Sequence, residues 1–277
     1  MEKWKRSARL TDMIRQLLVK PYQLIPLTVF AKKYKAAKSS ISEDLDIIDE
    51  VLRSEGNGKL ETVAGAAGGV RYIPGCSAKH SQKAVQKLCE KLSNPERILP
   101  GGFLYLSDLL GDPFFLNEIG RIFATVFQEQ NIDAVLTVET KGIPIAYATA
   151  ALLGVPVIIA RYDYRVTEGS VVTVHTVSGS NRRLRQLSVS KRSLSEGARV
   201  LIIDDFMKAG GTVRGLMDLL KEFKAEVVGV GVMLEQPAAN RLVDRYVSLA
   251  KVTEIDVKMR KVHVEVGNVF DDKEERG

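Results

Sequence analysis

Two adjacent aspartates followed by a glycine pair are the residues of this chain whose types and spacing best suit a ligand. The stretch 199–214 reads Arg-Val-Leu-Ile-Ile-Asp-Asp-Phe-Met-Lys-Ala-Gly-Gly-Thr-Val-Arg. The ionised carboxylates of Asp204 and Asp205 only accept hydrogen bonds, so they suit a vicinal diol such as that of ribose. Gly210 and Gly211 let the backbone approach an anion closely. Together these residues predict a site for a ribose phosphate.

The residues on either side of the aspartates predict the elements that position them. Residues 200–203 are apolar at every position, which is typical of a strand buried on both faces of a parallel sheet. Thr212 opens a run with apolar residues at helical spacing, and its hydroxyl can donate to a phosphate. The N-terminus of that helix also favours anions. The polar residues therefore follow the carboxyl end of a strand, where open α/β sheets bind ligands.

Segment 204–212 resembles the phosphoribosyl pyrophosphate signature of the type I phosphoribosyltransferases, and in particular that of the purine operon repressors built on such a domain. The alternative is an acidic strand end beside a glycine turn. The resemblance implies that Lys208 and Ala209 belong to the phosphate loop and that Mg²⁺ accompanies the ligand. Lys208-Ala209 departs from the enzymes, which usually carry small residues or threonine before Gly-Gly-Thr.

A second polar loop follows another predicted strand. Residues 138–144 read Val-Glu-Thr-Lys-Gly-Ile-Pro and resemble the pyrophosphate loop of the same family. The resemblance assigns Thr140, Lys141 and Gly142 to the ligand site. An ordinary solvated loop between strand and helix would look much the same.

The second part of the chain, residues 75–277, alternates short apolar runs with amphipathic ones. This alternation predicts a parallel α/β sheet domain, as in the type I phosphoribosyltransferases. The predicted strands are 134–138, 155–160, 200–203 and 227–232, the predicted helices are 77–92, 117–128, 144–153 and 212–223, and a final hairpin lies within 247–270.

The first part, residues 1–74, predicts a winged helix-turn-helix domain. Helical periodicity marks 7–18, 27–34 and 40–54, and two extended runs, 59–64 and 70–73, flank a glycine-rich tip. Ser40 and Glu43 have the spacing of a capping box, which places the third helix start at Ser40.

Charge is concentrated at the start of the chain, where residues 1–38 hold ten lysines and arginines against two acidic residues. Such a segment indicates a polyanionic partner such as double-stranded DNA, although a solvated cationic helix face would have the same composition. The chain has two cysteines and no apolar run of membrane-spanning length, so we expect a cytoplasmic protein without disulfides, structural metal or membrane contact.

The third helix carries an acidic body, so it cannot lie flat along a phosphate backbone. We expect DNA contacts from its N-terminal end, the basic arm, the first helix and the wing. A winged helix used for dimerisation or protein contact is the alternative. The predicted contacts in this domain are Lys3, Lys5, Arg6, Arg9, Lys38, Ser39, Ser40, Ser42 and Arg71.

A basic, serine-rich segment inside residues 161–192 corresponds by position to the flexible loop of the phosphoribosyltransferases. Its Arg182, Arg183 and Arg185 extend the predicted DNA-binding surface. The segment can also be a mobile lid over the pyrophosphate, or a solvated loop.

Two functions fit these features. One is an enzyme that transfers phosphoribose to a purine base, and the other is a repressor that senses phosphoribosyl pyrophosphate as an effector. The N-terminal domain, the Lys208-Ala209 spacer and the lack of an evident base pocket favour the repressor, so no catalytic residue is assigned. The resemblance to the purine operon repressors implies a homodimer that binds operators of purine biosynthesis genes and is released by phosphoribosyl pyrophosphate. Tyr105 and Tyr162 fit a base site or ordinary packing equally well.

Overall fold

The computed structural model describes residues 4–65, 68–163, 166–177 and 184–271. The chain divides into two compact units, Met1–Ser81 with Leu152–Gly154, and Gln82–Ala151 with Val155–Gly277. The units therefore divide inside the helix that follows residue 74, and the boundary predicted at that residue stays a prediction. Within the described ranges, no helix is long and apolar enough to span a membrane.

The first unit has the element order predicted for a winged helix. Helices α1, α2 and α3 precede an antiparallel hairpin of β1 and β2, and Ile25 pairs with Val70 at its edge. The elements are α1 (Arg6–Val19), α2 (Leu27–Tyr34), α3 (Lys38–Ser54), β1 (Lys59–Val63) and β2 (Gly69–Ile73). The buried faces form one apolar core from Met13, Leu17, Phe30, Tyr34, Ile41, Leu45, Ile48, Leu52, Leu60, Val70 and Tyr72.

The predicted start of α3 is wrong. The helix begins at Lys38, and its N-cap is Ala37, whose side chain makes no capping bond. Lys35, in the left-handed conformation with φ 51°, ends α2 and turns the chain so that α3 begins two residues before Ser40. Ser40 therefore lies inside the first helical turn and cannot be the cap.

The second unit is a mixed sheet covered by helices. Its strand order is β12-β11-β10-β9-β5-β6, with parallel pairs throughout except for β12, which pairs antiparallel with β11. The elements are α4 (Ala78–Leu92), β3 (Ile98–Leu99), β4 (Phe103–Leu104), α5 (Ser107–Leu110), α6 (Pro113–Phe127), β5 (Ala134–Val138), α7 (Gly142–Leu153), β6 (Val157–Ala160), β7 (Val171–Val177), β8 (Leu184–Ser190), β9 (Arg199–Met207), α8 (Gly211–Glu222), β10 (Glu226–Glu235), β11 (Val247–Asp256) and β12 (Lys261–Val266).

Strand β9 is the centre of this unit and is longer than predicted. Its first part pairs with β5 on one side, from Val200 to Ile202, and with β10 on the other. The pairing with β10 continues to Met207, so Asp204 and Asp205 lie within the strand and do not follow it. Residues 200–203 are fully buried, which confirms the prediction of a strand covered on both faces.

Candidate functional site

The two aspartates occupy different environments because successive strand residues face opposite sides of a sheet. Asp204 is 3% exposed, whereas Asp205 is only partly buried. The Asp204 Oδ1 atom accepts a hydrogen bond of 2.9 Å from the backbone N–H of Asp205. Asp205 is therefore the carboxylate more accessible to a ligand from solvent, and the role predicted for Asp204 as a second acceptor stays a prediction.

Burial raises the pKa of Asp204 well above its ordinary value, and the charge of Asp205 raises it further. Burial also raises the pKa of Asp205, against the hydrogen bond with Asp204 and the positive charge of Lys141, which lower it. The cation of Lys141 thus favours an ionised Asp205, the form that accepts hydrogen bonds from a diol.

The phosphate loop lies between β9 and α8. Lys208 is exposed, Ala209 and Thr212 are partly buried, and Gly210 adopts φ +83°, a conformation that favours glycine. The first α8 bond runs from Arg214 N–H to the Gly210 carbonyl at 2.8 Å. The N–H groups at the start of the helix have no intrahelical acceptor, so the loop and helix terminus can hold a phosphate as the sequence predicted.

The predicted pyrophosphate loop lies on the neighbouring strand. β5 ends at Val138 and α7 begins at Gly142, so Thr140 and Lys141, both exposed, sit in the connection. The peptide bond between Glu139 and Thr140 is cis. A Cβ on Gly142 would lie 2.3 Å from Thr137 Oγ1 and 2.9 Å from Asp204 Oδ1. The structure therefore brings Thr140, Lys141 and Gly142 to the same sheet edge as the aspartates.

Glu139 links this loop to the residues that follow β6, a role that no sequence pattern predicted. Its carboxylate accepts hydrogen bonds from Arg161 Nη1 at 3.1 Å and from Tyr162 N–H at 2.8 Å. The guanidinium of Arg185 lies over the Tyr162 ring, 4.9 Å from its centroid. A strand-end glutamate before the loop was the available signal, but its partners directly follow β6, and local spacing does not reveal them.

The hairpin of β7 and β8 packs on α8. The Thr176 hydroxyl donates to the Gly211 carbonyl at 3.0 Å, and a Cβ on Gly215 would lie 2.9 Å from both Leu187 and Thr176 side-chain atoms. Leu187 and Val189 are buried in the core of this unit. The described strands thus form a separate two-stranded sheet that packs on α8. Arg182 and Arg183 lie outside the described residues.

In the first unit, the N-terminal ends of α1 and α3 lie together, because Asp44 of α3 accepts bonds from Arg6 Nε at 2.8 Å and from Arg9 Nε at 2.9 Å. Lys5 and Arg6 are exposed, and so are Lys38, Ser39 and Ser42 at the start of α3, while Ser40 is partly buried. This arrangement forms a basic and hydroxyl-rich surface of the kind predicted for phosphate contacts.

Two of the predicted DNA contacts, Arg9 and Arg71, form ion pairs within the first unit. Arg9 is 8% exposed and its guanidinium is bound to the fully buried Asp44, so it does not suit contact with DNA phosphates. Its assignment as a DNA contact is corrected to a core ion pair. Arg71 lies on β2 and donates to Glu61 at 2.8 Å. This ion pair lowers the net positive charge that the wing presents to DNA. Lys3 lies outside the described residues.

Comparison with known proteins identifies the family. Residues 5–74 match the model described as "Bacterial purine repressor, N-terminal", and residues 107–269 match the "Phosphoribosyl transferase domain". The "Purine biosynthesis transcriptional repressor PurR" of Bacillus subtilis is 52% identical over 96% of this chain and 94% of its own length. The chain belongs to the family of bacterial purine repressors. The predicted resemblance and the predicted fold class are confirmed.

Other relatives of this purine repressor family member have different functions in their names. The "Purine biosynthesis transcriptional activator PurR" of Lactococcus lactis is 46% identical over 97% of this chain and 100% of its own length. The "Xanthine phosphoribosyltransferase" of Oenococcus oeni is 36% identical over 55% of this chain and 76% of its own length. The regulators thus match both units, whereas the similarity to this enzyme covers about half of the chain.

Proposed function

We propose that this chain is a DNA-binding transcriptional regulator of purine biosynthesis genes whose second unit senses phosphoribosyl pyrophosphate. The observation that carries the proposal is the shared sheet edge, at which Asp205, Lys141 and the phosphate loop 208–212 meet in a chain whose full-length relatives are regulators. Asp205 accepts bonds from the ribose diol. The loop and the start of α8 bind the phosphate, and Thr140, Lys141 and Gly142 face the pyrophosphate.

Mg²⁺ fits this proposal as a companion of the pyrophosphate. In the described part of the chain, no group of three or more His, Cys, Asp or Glu side chains could hold a metal alone. A hard cation that keeps several waters and binds through substrate phosphates needs no such group. Asp205 is the carboxylate best placed to face it.

The first unit supplies DNA binding in this proposal. Lys5, Arg6 and the exposed N-terminal residues of α3 contact phosphates, and the wing and the hairpin arginines provide further phosphate contacts. The regulator works as a homodimer in the cytoplasm, and its dimeric state can be measured by light scattering. The enzyme alternative is not favoured, because the full-length relatives with both units are regulators.

Binding of phosphoribosyl pyrophosphate lowers DNA affinity in the proposed mechanism. The ligand is strongly anionic, and arginines that fold over it become unavailable to DNA. A coupling between sites of about 1–3 kcal/mol corresponds to about 5- to 150-fold in affinity. Neutralising Arg182, Arg183 and Arg185 together is therefore expected to reduce both DNA affinity and its dependence on salt. Unchanged DNA binding would remove the hairpin from the mechanism.

A titration of labelled control-region DNA from purine genes tests the proposal. The chain should bind this DNA, and phosphoribosyl pyrophosphate with Mg²⁺ should weaken the binding at fixed salt. Asp205→Asn should stay bound at ligand concentrations that release the wild type. Asp218→Asn, a change of an exposed carboxylate on α8 that pairs with Arg214 and Lys221, is the matched control and should respond normally.

The outcomes separate the two functions. Absence of DNA binding, together with transfer of phosphoribose to a purine base, would overturn the regulator and support the enzyme. A transcription assay with the same DNA then decides whether the bound regulator represses or activates, since relatives with each name exist.

A further inference from the structure

The segment between β10 and β11, residues 236–243, lies against the phosphate loop. Its first N–H, from Gln236, donates to the Met207 carbonyl at 2.8 Å, and the N–H of Leu242 donates to the Ala209 carbonyl at 2.8 Å. Val243 is 3% exposed, and its Cγ2 lies 3.0 Å from the position of a Cβ on Gly210. The covering segment, as we call 236–243, therefore contacts the loop by hydrogen bonds and by packing.

These contacts fix the direction of a donor in the loop. In a trans peptide the carbonyl and the following N–H point to opposite sides. Because the Ala209 oxygen is held by Leu242, the N–H of Gly210 points away from the covering segment. That N–H is one of the backbone donors of the proposed phosphate cradle. Holding such a donor in place before the ligand arrives reduces the ordering cost of binding.

The covering segment is in turn held by a cluster centred on Glu235, the last residue of β10. Glu235 Oε2 accepts bonds from Arg241 Nη1 and from the Tyr246 hydroxyl, the latter at 2.7 Å, and Oε1 accepts a bond of 2.8 Å from the Ser248 hydroxyl. Arg241 also donates from Nη2 to the Gln236 carbonyl at 3.2 Å. Its guanidinium lies over the Tyr246 ring, 4.9 Å from the centroid. The cluster thus ties both ends of the covering segment.

The cluster holds a charged pair in which Glu235 is buried and Arg241 is partly buried. The Glu235 and Arg241 side chains are 6% and 19% exposed. Burial works to raise the pKa of Glu235, but the bonds from Arg241, Tyr246 and Ser248 outweigh it and hold that pKa below its ordinary value. Glu235 is therefore ionised at neutral pH, and removal of a donor leaves a buried charge less well satisfied.

We propose that Glu235, Arg241 and Tyr246 form a clasp that positions the phosphate loop for the effector. Arg241 directly precedes Leu242, so the ion pair sets the place of the N–H that binds Ala209. The clasp residues act through the covering segment and are positioning residues. The inference rests on the proposed function only for the identity of the ligand, since the contacts to the loop hold without it.

The first test measures hydrogen–deuterium exchange in the ligand-free, full-length chain. Tyr246→Phe keeps the ring under Arg241 and removes the hydroxyl, which donates to Glu235 and accepts from Arg241, while Arg241→Ala removes the ion pair. Peptides covering 208–213 and 236–243 should exchange at least about tenfold faster in these variants, because the open loop population rises by at least that factor if the ordered fraction falls to about a tenth. Glu254→Gln, which breaks the exposed pair with Lys261 in the same sheet, is the control and should not change these peptides.

The second test is a calorimetric titration with phosphoribosyl pyrophosphate and Mg²⁺. The dissociation constant should rise about tenfold in Tyr246→Phe. The dissociation constant of Arg241→Lys should lie between those of the wild type and Arg241→Ala, because lysine keeps the positive charge but lacks the planar set of N–H donors of arginine. The ligand-free Tyr246→Phe variant should still unfold in one cooperative thermal transition with only a modest fall in melting temperature, which separates positioning from loss of the fold.

The outcomes distinguish the clasp from the proposed function. Unchanged exchange in the loop peptides of Tyr246→Phe and Arg241→Ala would overturn the clasp whatever the ligand is. Faster exchange with unchanged ligand affinity would overturn its role in effector binding. A wild-type chain that does not bind phosphoribosyl pyrophosphate would contradict the proposed function, while the exchange data would still decide whether the clasp orders the loop.

Discussion

Substitution of Gly142 by alanine is expected to weaken effector binding through a steric clash. A Cβ at this position would lie 2.3 Å from Thr137 Oγ1 and 2.9 Å from Asp204 Oδ1, both closer than real Cβ contacts. Thr137 is fixed in β5, where it pairs with Ile159 of β6, and Asp204 is fixed in β9. Because neither strand can move easily, the loop 139–142, in which Thr140 and Lys141 are exposed, must shift.

The magnitude follows from the cost of overpacking, which is about 1–3 kcal/mol for an inserted methyl group in a tightly packed site. If the clash is relieved in the complex by moving Lys141 and Thr140 away from the ligand, that cost appears as about 5- to 150-fold weaker binding. If part of the strain remains in the free protein, the melting temperature falls as well. We therefore expect Gly142→Ala to bind phosphoribosyl pyrophosphate with Mg²⁺ at least about fivefold more weakly.

A second change provides an internal check. The Thr137 hydroxyl is buried and has no hydrogen-bond partner among the described residues, so Thr137→Ala alone removes little that is favourable. In the double variant the closest contact of the new Cβ is gone. The combination of Thr137→Ala with Gly142→Ala should therefore bind the ligand more tightly than Gly142→Ala alone.

Calorimetric titration and thermal melts of the four proteins measure this interaction as a double-mutant cycle. Gly111→Ala is a suitable control, because its Cβ would meet nothing closer than a carbonyl at 3.2 Å, at the end of α5. Equal affinity and equal melting temperature in Gly142→Ala and wild type would refute the steric reasoning. The same conclusion would follow if Thr137→Ala restored nothing.

Three further predictions concern charged residues. Burial, and then the charge of Asp205, raise the pKa of Asp204 above its ordinary 3.8. Above pH 3.8 the native chain therefore retains a proton that the unfolded chain loses. The free energy of unfolding falls as pH rises above that value. Asp204→Asn should therefore raise the melting temperature of the ligand-free protein more at pH 7 than at pH 4, and an equal gain at both would contradict this. Arg9→Ala leaves the fully buried Asp44 with one less cation and should cost about 3–5 kcal/mol in urea unfolding. Lys5→Ala should leave stability unchanged and reduce the salt slope of DNA binding by about one unit.

Much of the fold could be predicted because its signals are local. Helix α2 has the predicted bounds, Leu27–Tyr34, since helical periodicity and the residues at its ends lie within one short segment. The apolar run 200–203 identified a central strand, and the aspartates and glycines after it predicted the sheet edge at which we propose that the ligand binds. These patterns depend on neighbours in sequence, so the chain reveals them without tertiary information.

Other features depend on residues distant in sequence. The length of β9, and with it the burial of Asp204, is set by pairing with β10 beyond Ile203. Arg9 looked like one more cation of a basic arm, but Asp44 binds it from 35 residues away. An arginine on one helix that pairs with an aspartate on another helix has the same neighbours in sequence as an arginine exposed to solvent. Local sequence therefore could not separate them.

The conformation of the phosphate loop is the clearest case of this dependence. Its glycines were evident in the sequence, but the carbonyls on either side of Gly210 are held by groups from different parts of the chain. Leu242 N–H binds the Ala209 oxygen, and the Thr176 hydroxyl binds the Gly211 oxygen. Gly210, at φ +83°, is thus fixed between two tertiary contacts. Glycine permits this loop conformation, and the two distant contacts select it, so a change in either contact should reach the ligand site.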